Sequence, residues 1–338
     1  MKGAVFQKKG EIIIKDDIKK PEIKNDEVLI KIKNCGICGS DVESYHTGIL
    51  IPTGLILGHE FSGEIVEIGE LVKKWKIGDR VTANPNLPCF KCFWCMRNQE
   101  NLCKKGDGIG MTSHGAMTEF IKVKAERLHL LPPNLSFEEG VFVEPLSNGV
   151  YAVQESGFKV GENAVVFGAG TIGLVTIQVL NAVGASNVFV IEPLEFNQKK
   201  ALEVGASEVF MPKDWSKINR LTNKIGPDHI FDCAGVPRTY IDSLKLVRKG
   251  GFITVIGIHV EPFQMEGFTQ FLLKNITMRG IFAYNQDTFR TSIDLLKKKK
   301  INVDPIITKR IKLDEVPEAF QTLSDPNNNE VKILVELD

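Results

Sequence analysis

Residues 162–193, ENAVVFGAGTIGLVTIQVLNAVGASNVFVIEP, decide the fold of this chain. An apolar run of strand length at 164–167 leads into the glycine-rich hexapeptide GAGTIG at 168–173. A helix-like run follows, and a second strand-like run covers 188–191. Strand, glycine turn, helix and strand in this order predict a βαβ unit with two parallel strands. The uncharged stretch 163–191 is long enough for a membrane span, but its glycines and its division into short pieces favour the βαβ interpretation.

The hexapeptide has the pattern G-x-G-x-x-G, and the candidate cofactor-binding residues in it are Gly168, Gly170, Thr171, Ile172 and Gly173. Gly168 permits the tight turn, Gly170 lets the backbone approach a pyrophosphate, and Gly173 lets helix and strand pack closely. Glu192 follows 19 residues after Gly173, where a carboxylate accepts hydrogen bonds from the adenosine ribose. A carboxylate repels a 2′-phosphate and no Arg follows in EPLEFN, so the sequence predicts NAD rather than NADP. A βαβ turn without a ligand is the alternative.

The composition indicates an ordinary globular protein of about two domains. The chain has 338 residues, of which 43% are hydrophobic and 25% charged. Lys plus Arg and Asp plus Glu each number 42, so no general attraction to nucleic acid or to an anionic membrane is expected. The N-terminal MKGAVFQKKGEIIIKDD lacks the apolar core of a signal peptide, so we expect a cytoplasmic protein. The expected partner is a small molecule.

Three parts of different pattern follow one another along the chain. Residues 1–150 contain alternating strand-like runs separated by Gly and Pro, which predicts a mostly β domain. Residues 151–284 alternate strand-length apolar runs with helical stretches, which predicts repeated βα units and a parallel sheet. Residues 285–338 contain a helix-like segment at 288–300 and a final alternating run, VKILVEL, that we expect to join the first domain's sheet. The predicted fold class is α/β.

Four of the seven cysteines form the pattern C-x2-C-x2-C-x7-C, and they are Cys89, Cys92, Cys95 and Cys103. Four thiolates at this spacing can close a tetrahedron around Zn²⁺ with no open position, which is the arrangement of a structural site. An iron–sulfur cluster has a shorter last gap and a Pro after its fourth Cys, whereas Lys104 follows here. The pattern therefore favours structural zinc, with an iron–sulfur cluster and metal-free thiols as the alternatives.

A second, dispersed set of candidate ligands consists of Cys38 in CGICGSD, His59 and Glu60 in GHE, and Glu144 in EPLSNG. One thiolate, one imidazole and one carboxylate balance Zn²⁺ and leave its fourth position open. Three protein ligands plus water or substrate are the arrangement of a catalytic zinc. A His–Glu pair satisfied in a core or at the surface is the alternative interpretation.

The motifs follow one another in the same order as in a known enzyme family. The chain resembles the zinc-containing medium-chain dehydrogenase/reductase (alcohol dehydrogenase) family over essentially its full length, through motifs at 35–41, 58–69, 89–103, 143–149 and 168–173. The resemblance implies that 1–150 and 285–338 form a GroES-like catalytic domain with both zinc sites. It also implies that 151–284 form a Rossmann domain, a doubly wound parallel sheet that binds NAD. Two zinc ions per chain and a homotetramer or homodimer are further implications.

Residue roles follow from the same resemblance. Cys38, His59 and Glu144 match the family's catalytic zinc ligands, and Glu60 matches the neighbouring carboxylate that can approach the metal. Ser40 matches the hydroxyl that takes the proton from the alcohol. A Glu at position 144 in the context EPLS is similar to the sorbitol, butanediol and threonine dehydrogenase branch.

Two departures from the family pattern bear on the substrate. Relatives often have His three residues after the relay hydroxyl, but this position is Glu43, and His46 is out of register. Glu43, His46 and water therefore remain candidates for the outer relay. Sorbitol-type enzymes have an Arg-Tyr pair where this chain has Ala283 and Tyr284. We predict hydride transfer between NAD and a secondary alcohol, a vicinal diol or the matching ketone, with a polyol or L-threonine as the alternatives.

Two other classes of function compete with this prediction. One is a non-catalytic nucleotide-binding or redox-sensing protein on the same fold, which would not need the second ligand set. The other is a zinc-finger nucleic-acid binder, which would need a basic face. Arg97, Lys104 and Lys105 are almost the only basic residues of the cysteine-rich segment, so the sequence favours the dehydrogenase.

Overall fold

A computed structural model describes residues 1–49, 51–259 and 262–337. The chain forms two compact units. The first unit comprises residues 1–144, 285–297 and 307–338, and the second comprises 145–284 and 298–306.

The strands, in chain order, are β1 (Gly3–Lys8), β2 (Glu11–Lys15), β3 (Glu27–Gly36), β4 (Glu60–Ile68), β5 (Arg80–Ala83), β6 (Asn86–Leu87), β7 (Asp107–Gly108), β8 (Phe120–Lys124), β9 (Leu128–Leu130), β10 (Asn163–Phe167), β11 (Asn187–Ile191), β12 (Glu208–Phe210), β13 (His229–Asp232), β14 (Phe252–Val255), β15 (Thr277–Gly280), β16 (Ile307–Lys312) and β17 (Lys332–Glu336). The helices are α1 (Gly39–Thr47), α2 (Phe137–Val141), α3 (Val143–Ser156), α4 (Thr171–Ala182), α5 (Glu195–Glu203), α6 (Ile218–Leu221), α7 (Pro237–Leu246), α8 (Phe268–Leu273), α9 (Gln286–Lys297) and α10 (Val316–Ser324).

The first unit is built on a mixed sheet with the order β16-β17-β3-β4-β5-β9, and β8 also pairs with β3. The final strand β17 lies antiparallel to β3, with Leu334 opposite Gly36. This confirms the prediction that the last alternating run joins the first sheet. Apolar side chains of β3, β4 and β17 form the core of the unit, and Ile30, Ile65 and Ile333 in it are fully buried.

The second unit contains a parallel sheet with the order β12-β11-β10-β13-β14-β15. The chain proceeds outward from β10 to β12 and then resumes on the other side of β10 with β13. Ligands bind at the carboxyl ends of the strands at such a reversal. The four predicted strands are present, and β12 and β15 extend the sheet. Sequence reasoning missed both because β12 has three residues and β15 reads TMRG, so neither presents an apolar run.

Two segments differ from the sequence expectations. Helix α9 ends at Lys297 rather than 300, and Lys299 has a φ of +52° that a helix cannot continue. Residues 298–306 belong to the second unit because Gln178 donates to Asn302 O at 2.9 Å and accepts from Asn302 N at 2.7 Å. Among the described residues, no helix combines the length and the apolar character that a membrane span requires.

Candidate metal and cofactor sites

Four thiols meet in residues 89–103, called the cysteine lobe below. The sulfur atoms of Cys89, Cys92, Cys95 and Cys103 lie within 4.8 Å of one another. Cys92 Sγ is 3.5 Å from Cys95 Sγ and 3.8 Å from Cys103 Sγ. Zn–S bonds of about 2.3 Å in a tetrahedron separate neighbouring sulfurs by roughly 3.8 Å. The donor set therefore fits one zinc ion with four thiolate ligands and no open position.

The backbone of the lobe prepares some of these thiols for a cation. The N–H of Cys95 lowers the pKa of Cys92 to about 6, and the N–H of Lys91 lowers the pKa of Cys89. Burial raises the pKa of Cys95 to about 12, so that thiol keeps its proton until a metal displaces it. Metal binding to such a set releases protons and couples to the folding of the segment.

The first turn of α1 positions Cys38, Ser40 and Asp41. Cys38 is the residue before the helix, and its backbone N–H donates to Asp41 Oδ2 at 3.1 Å. A carboxylate in this position satisfies one of the free N–H groups of the helix N-terminus and so fixes the turn. The Ser40 hydroxyl donates to Cys38 Sγ at 3.3 Å. The hydroxyl predicted to relay a proton therefore touches the predicted ligand sulfur.

His59 directly precedes β4 and lies against the same turn. His59 Nδ1 is 3.6 Å from Asp41 Oδ1, and both atoms are buried without a hydrogen-bond partner among the described residues. Burial lowers the pKa of His59, but the negative groups of Asp41 and Cys38 raise it, and the net pKa lies well above its usual value. Surroundings that stabilise an imidazolium in this way also stabilise a bound divalent cation.

Glu60 is held by an ion pair that the motifs do not predict. Lys332 Nζ on β17 donates to Glu60 Oε1 at 2.9 Å and to Oε2 at 2.7 Å, and also to Ile37 O at 2.9 Å. Only 2% of the Lys332 side chain and 1% of the Glu60 side chain are exposed. Burial lowers the pKa of Lys332, whereas Glu60, Cys38 and Glu144 raise it, and the net pKa is raised. The ammonium group therefore lies among the candidate ligands and fixes the Glu60 carboxylate.

The structure brings three of the four dispersed candidates into one cluster. One ligand atom each of Cys38, His59 and Glu60 lies within 4.8 Å of the others. Glu144, buried in the first turn of α3, is outside this cluster, although its charge acts on the same Lys332. A zinc ion fits this set of one thiolate, one imidazole and one carboxylate. The buried atoms Asp41 Oδ1 and His59 Nδ1, which lack a hydrogen-bond partner among the described residues, agree with a cation at this place. Glu144 as a ligand remains a prediction.

The glycine-rich turn joins β10 to α4 as predicted. A Cβ atom at Gly173 would lie 1.9 Å from Gly168 O, so the close packing of the turn excludes any side chain there. A Cβ at Gly170 would meet no atom within 4 Å, so that glycine is not required by packing against the chain. Gly170 directly precedes α4, whose first two residues are Thr171 and Ile172. The open space beside Gly170 would let a pyrophosphate approach the backbone at this helix N-terminus.

Glu192 lies directly beside this turn, because Ile191 on β11 is paired with Phe167 on β10. Its Oε2 accepts a hydrogen bond from the Ala169 N–H at 2.7 Å, and its Oε1 accepts from the Leu194 N–H at 2.9 Å. Burial raises the pKa of Glu192 and the two amides lower it, with a raised pKa as the net result. The carboxylate is in the predicted place and is already bound by the chain.

Sequence reasoning missed two residues of the site. Asp41 stands in the quoted motif CGICGSD, and its buried carboxylate between the Cys38 amide and His59 gives it an orienting role. Lys332 stands in the alternating run VKILVEL, where a cation on a buried strand is the only signal. On α1, Glu43 is three residues from Ser40 and shares its face, whereas His46 is six residues away and is turned from it.

Comparison with known proteins places the chain in a family. Residues 24–133 match the alcohol dehydrogenase GroES-like domain, and residues 171–298 match the zinc-binding dehydrogenase domain. The fold and the ligand clusters define an oxidoreductase with a GroES-like domain and a nucleotide-binding domain. The chain belongs to the zinc-containing medium-chain alcohol dehydrogenase family, as the motifs predicted.

Similar proteins share nearly the full length. D-arabitol-phosphate dehydrogenase of Enterococcus avium is 34% identical over 95% of this chain and 92% of its own. (R,R)-butanediol dehydrogenase of Bacillus subtilis (strain 168) is 33% identical over 99% of both. A structure of a zinc-binding dehydrogenase from Sinorhizobium meliloti 1021 with NADP superimposes with a TM-score of 0.91, at 31% identity, over 99% of this chain and 98% of that one. Sorbitol and L-threonine dehydrogenases are also similar, which confirms the predicted branch.

Proposed function

We propose that this protein is an NAD-dependent zinc dehydrogenase that oxidises a secondary alcohol or vicinal diol, or reduces the matching ketone. The observation that carries the proposal is the cluster of Cys38, His59 and Glu60 with the Ser40 hydroxyl in contact with the cysteine sulfur. A polyol or L-threonine is the alternative substrate. The similarity to a butanediol dehydrogenase at 33% identity supports the diol, and the Ala at 283 argues against a sorbitol-type Arg contact.

Different residues of the chain have different roles in this reaction. Zinc held by Cys38, His59 and Glu144 would supply a Lewis acid that makes an alcohol O–H more acidic. Ser40 Oγ accepts the alcohol proton and passes its own outward, because a hydroxyl donates and accepts at once. The Asp41 carboxylate, with Oδ1 3.6 Å from His59 Nδ1, would orient the His59 ring through its charge.

Lys332, the outer proton path and the glycine turn have the remaining roles. Lys332 holds the Glu60 carboxylate beside the ligand set, and its position limits how far that carboxylate can turn. Beyond Ser40, we propose that the proton leaves through Glu43 or through water. The glycine turn and the N-terminal amides of α4 would hold the cofactor phosphates, and the bound nicotinamide would supply the hydride acceptor.

The preference for NAD rests on Glu192. Its carboxylate lies next to the glycine turn, where it repels a 2′-phosphate and accepts hydrogen bonds from ribose hydroxyls. The similar Sinorhizobium meliloti structure has NADP bound, and a similar structure from Escherichia coli CFT073 has NADH bound. The charge at Glu192 is therefore the feature of this chain that supports NAD.

The same proposal includes two zinc ions per chain, one in the cysteine lobe and one at the Cys38 cluster. Two separate donor sets of different chemistry support it. We also propose a homo-oligomer, either a tetramer or a dimer, as the family resemblance implies. A cytoplasmic location is supported by the seven cysteines, which are all free thiols suited to a reducing compartment.

The experiment is a panel of initial rates followed by the absorbance of the reduced cofactor. Zinc-loaded protein is supplied with NAD or NADP and with 2,3-butanediol, sorbitol, D-arabitol phosphate or L-threonine. We expect the highest kcat/KM with the diol and NAD. Thr47→Ala, which alters a hydroxyl on α1 that is hydrogen-bonded to Glu43 O and Ile49 N, serves as the matched control and should match the wild type. A higher kcat/KM with NADP would contradict the cofactor assignment, and a higher one with another substrate would contradict the substrate class.

A further inference from the structure

The carboxylate of Glu192 has a second set of partners besides any cofactor. Both oxygens accept hydrogen bonds from the chain itself, Oε2 from Ala169 at 2.7 Å and Oε1 from Leu194 at 2.9 Å. Ala169 is the residue between the first two glycines of the turn. The side chain therefore bridges the end of β11 to the segment that has to hold the pyrophosphate.

The backbone of Glu192 is bound equally well, so the bridge has a rigid base. Its N–H donates to Phe210 O on β12 at 3.0 Å, and its carbonyl accepts from Gln198 Nε2 on α5 at 2.7 Å. The residue is 4% exposed.

By contrast, Gly168 has a φ of +86°, and a Cβ atom added at Gly170 would meet no atom within 4 Å. The Gly168 N–H donates to Ile191 O at 2.9 Å and the Gly170 carbonyl accepts from the Leu174 N–H at 2.9 Å, so both ends of the turn are bound to the chain. Between them, the Ala169 N–H is held by Glu192, and the glycines on either side of it populate many conformations.

We propose that Glu192 is a positioning residue that orders the glycine turn before any cofactor arrives. This inference rests on the proposed function, since it concerns how the turn becomes competent to bind a dinucleotide. A turn that populates its competent conformation only in part binds with an affinity reduced by that fraction. Loss of the carboxylate therefore weakens binding of every ligand that uses the turn, whether or not the ligand has ribose hydroxyls.

The physical basis is the strength of hydrogen bonds to a charged acceptor. A backbone N–H that donates to a carboxylate makes a shorter and stronger bond than one to a neutral group. An amide at this position offers only one acceptor oxygen, so Glu192→Gln retains at most one of the two bonds. A shorter carboxylate, as in Glu192→Asp, keeps the charge and the repulsion of a 2′-phosphate but cannot span the same distance.

The first test uses the cofactor-free chain and measures amide hydrogen exchange. In Glu192→Ala, which loses both bonds, we expect the Ala169 amide to exchange at least about tenfold faster than in the wild type, and in Glu192→Gln, which can retain one bond, we expect a smaller increase. Glu195→Gln, which alters an exposed carboxylate on α5 that pairs with Lys199 at 2.9 Å, is the matched control and should leave the Ala169 exchange rate unchanged. Unchanged exchange at Ala169 in the Glu192 variants would overturn the proposal.

The second test separates turn ordering from ribose contact. Dissociation constants are measured for NADH and for its analogue with a 2′,3′-dideoxyadenosine. If Glu192 orders the turn, Glu192→Ala weakens the dideoxy analogue by about tenfold, and Glu192→Asp restores NAD selectivity but not this affinity. If Glu192 only contacts the ribose, the variant binds the analogue as tightly as the wild type, which would overturn the proposal even if exchange is faster. Failure of the wild type to bind NADH would instead reject the proposed function, while the exchange test would still decide whether the tether exists.

Discussion

At the scale of single residues, Ser40 has the most direct role in the proposed chemistry. Its hydroxyl lies 3.3 Å from Cys38 Sγ, in the first turn of a helix whose start is fixed by Asp41. We expect Ser40→Ala to slow alcohol oxidation by roughly 10²–10⁴-fold, the usual contribution of a positioned proton transfer. The measurement is kcat at a pH where chemistry limits turnover.

The matched control for this prediction is Thr47→Ala. Thr47 lies on the same helix, and its hydroxyl donates to Glu43 O at 2.8 Å and accepts from Ile49 N at 3.1 Å. Its loss should leave kcat within about twofold of the wild type, as surface substitutions usually do. A Ser40→Ala enzyme as fast as the Thr47→Ala enzyme would remove Ser40 from the mechanism.

Lys332 is the residue whose loss should disturb the first unit most. Removing one partner of a buried ion pair leaves an uncompensated charge, so we expect Lys332→Met to lower the free energy of unfolding by about 3–5 kcal/mol. The double variant Glu60→Gln/Lys332→Met should recover most of this loss, because the buried charge is then gone. Urea denaturation followed by tryptophan fluorescence measures both.

An exposed ion pair that also involves β17 provides the control. Lys312 Nζ is 3.3 Å from Glu336 Oε2, and both side chains are largely exposed, so Lys312→Met should change stability by less than about 1 kcal/mol. Equal effects of Lys332→Met and Lys312→Met would mean that the buried pair carries no special energy. The account of Glu60 as a carboxylate held in place would then be wrong.

At the scale of elements, the cysteine lobe depends on its own metal and on one buried arginine. The lobe connects β6 to β7, and these two short strands pair antiparallel at its base. Arg127 donates to Pro85 O at 3.2 Å and to Asp107 O at 3.1 Å, so it holds the chain on both sides of the lobe. The base is therefore ordered by protein groups. Inside the lobe, short backbone hydrogen bonds close single turns, such as Met96 N–H to Cys92 O at 3.1 Å and Cys103 N–H to Glu100 O at 3.0 Å, and the four thiols lie between these turns.

We expect Cys95→Ser to remove one zinc ion per chain and to lower Tm by at least about 4 °C, the shift that roughly 1–2 kcal/mol causes in chains of this size. The other zinc and most of the activity per remaining folded enzyme should persist. Metal analysis and thermal unfolding measure the two effects, with Cys233→Ser as the control that keeps both ions. Loss of both ions from Cys95→Ser would show that the two clusters are not independent.

At the scale of the whole molecule, the sequence predicts those parts of the fold and of the sites whose residues lie close together along the chain. The glycine turn, Glu192 and the four-cysteine spacing each lie within about thirty residues, so sequence spacing fixes which groups meet. The Glu60–Lys332 pair joins groups 272 residues apart, and only the pairing of β17 with β3 brings them together. Residues 298–306 follow the second unit for a similar reason, because Gln178 binds the backbone of Asn302 across 124 positions.

We expect the Cys38 cluster to hold the zinc on which hydride transfer depends. The measurement that tests it most directly is the rate of NAD reduction by 2,3-butanediol in wild type and Cys38→Ser, with the zinc content of each preparation. We predict two zinc ions and turnover for the wild type. For Cys38→Ser we predict one zinc ion, an intact fold and a rate at least about 10³-fold lower, since several kcal/mol of transition-state stabilisation are lost. A Cys38→Ser protein that reduces NAD at the wild-type rate would contradict the account.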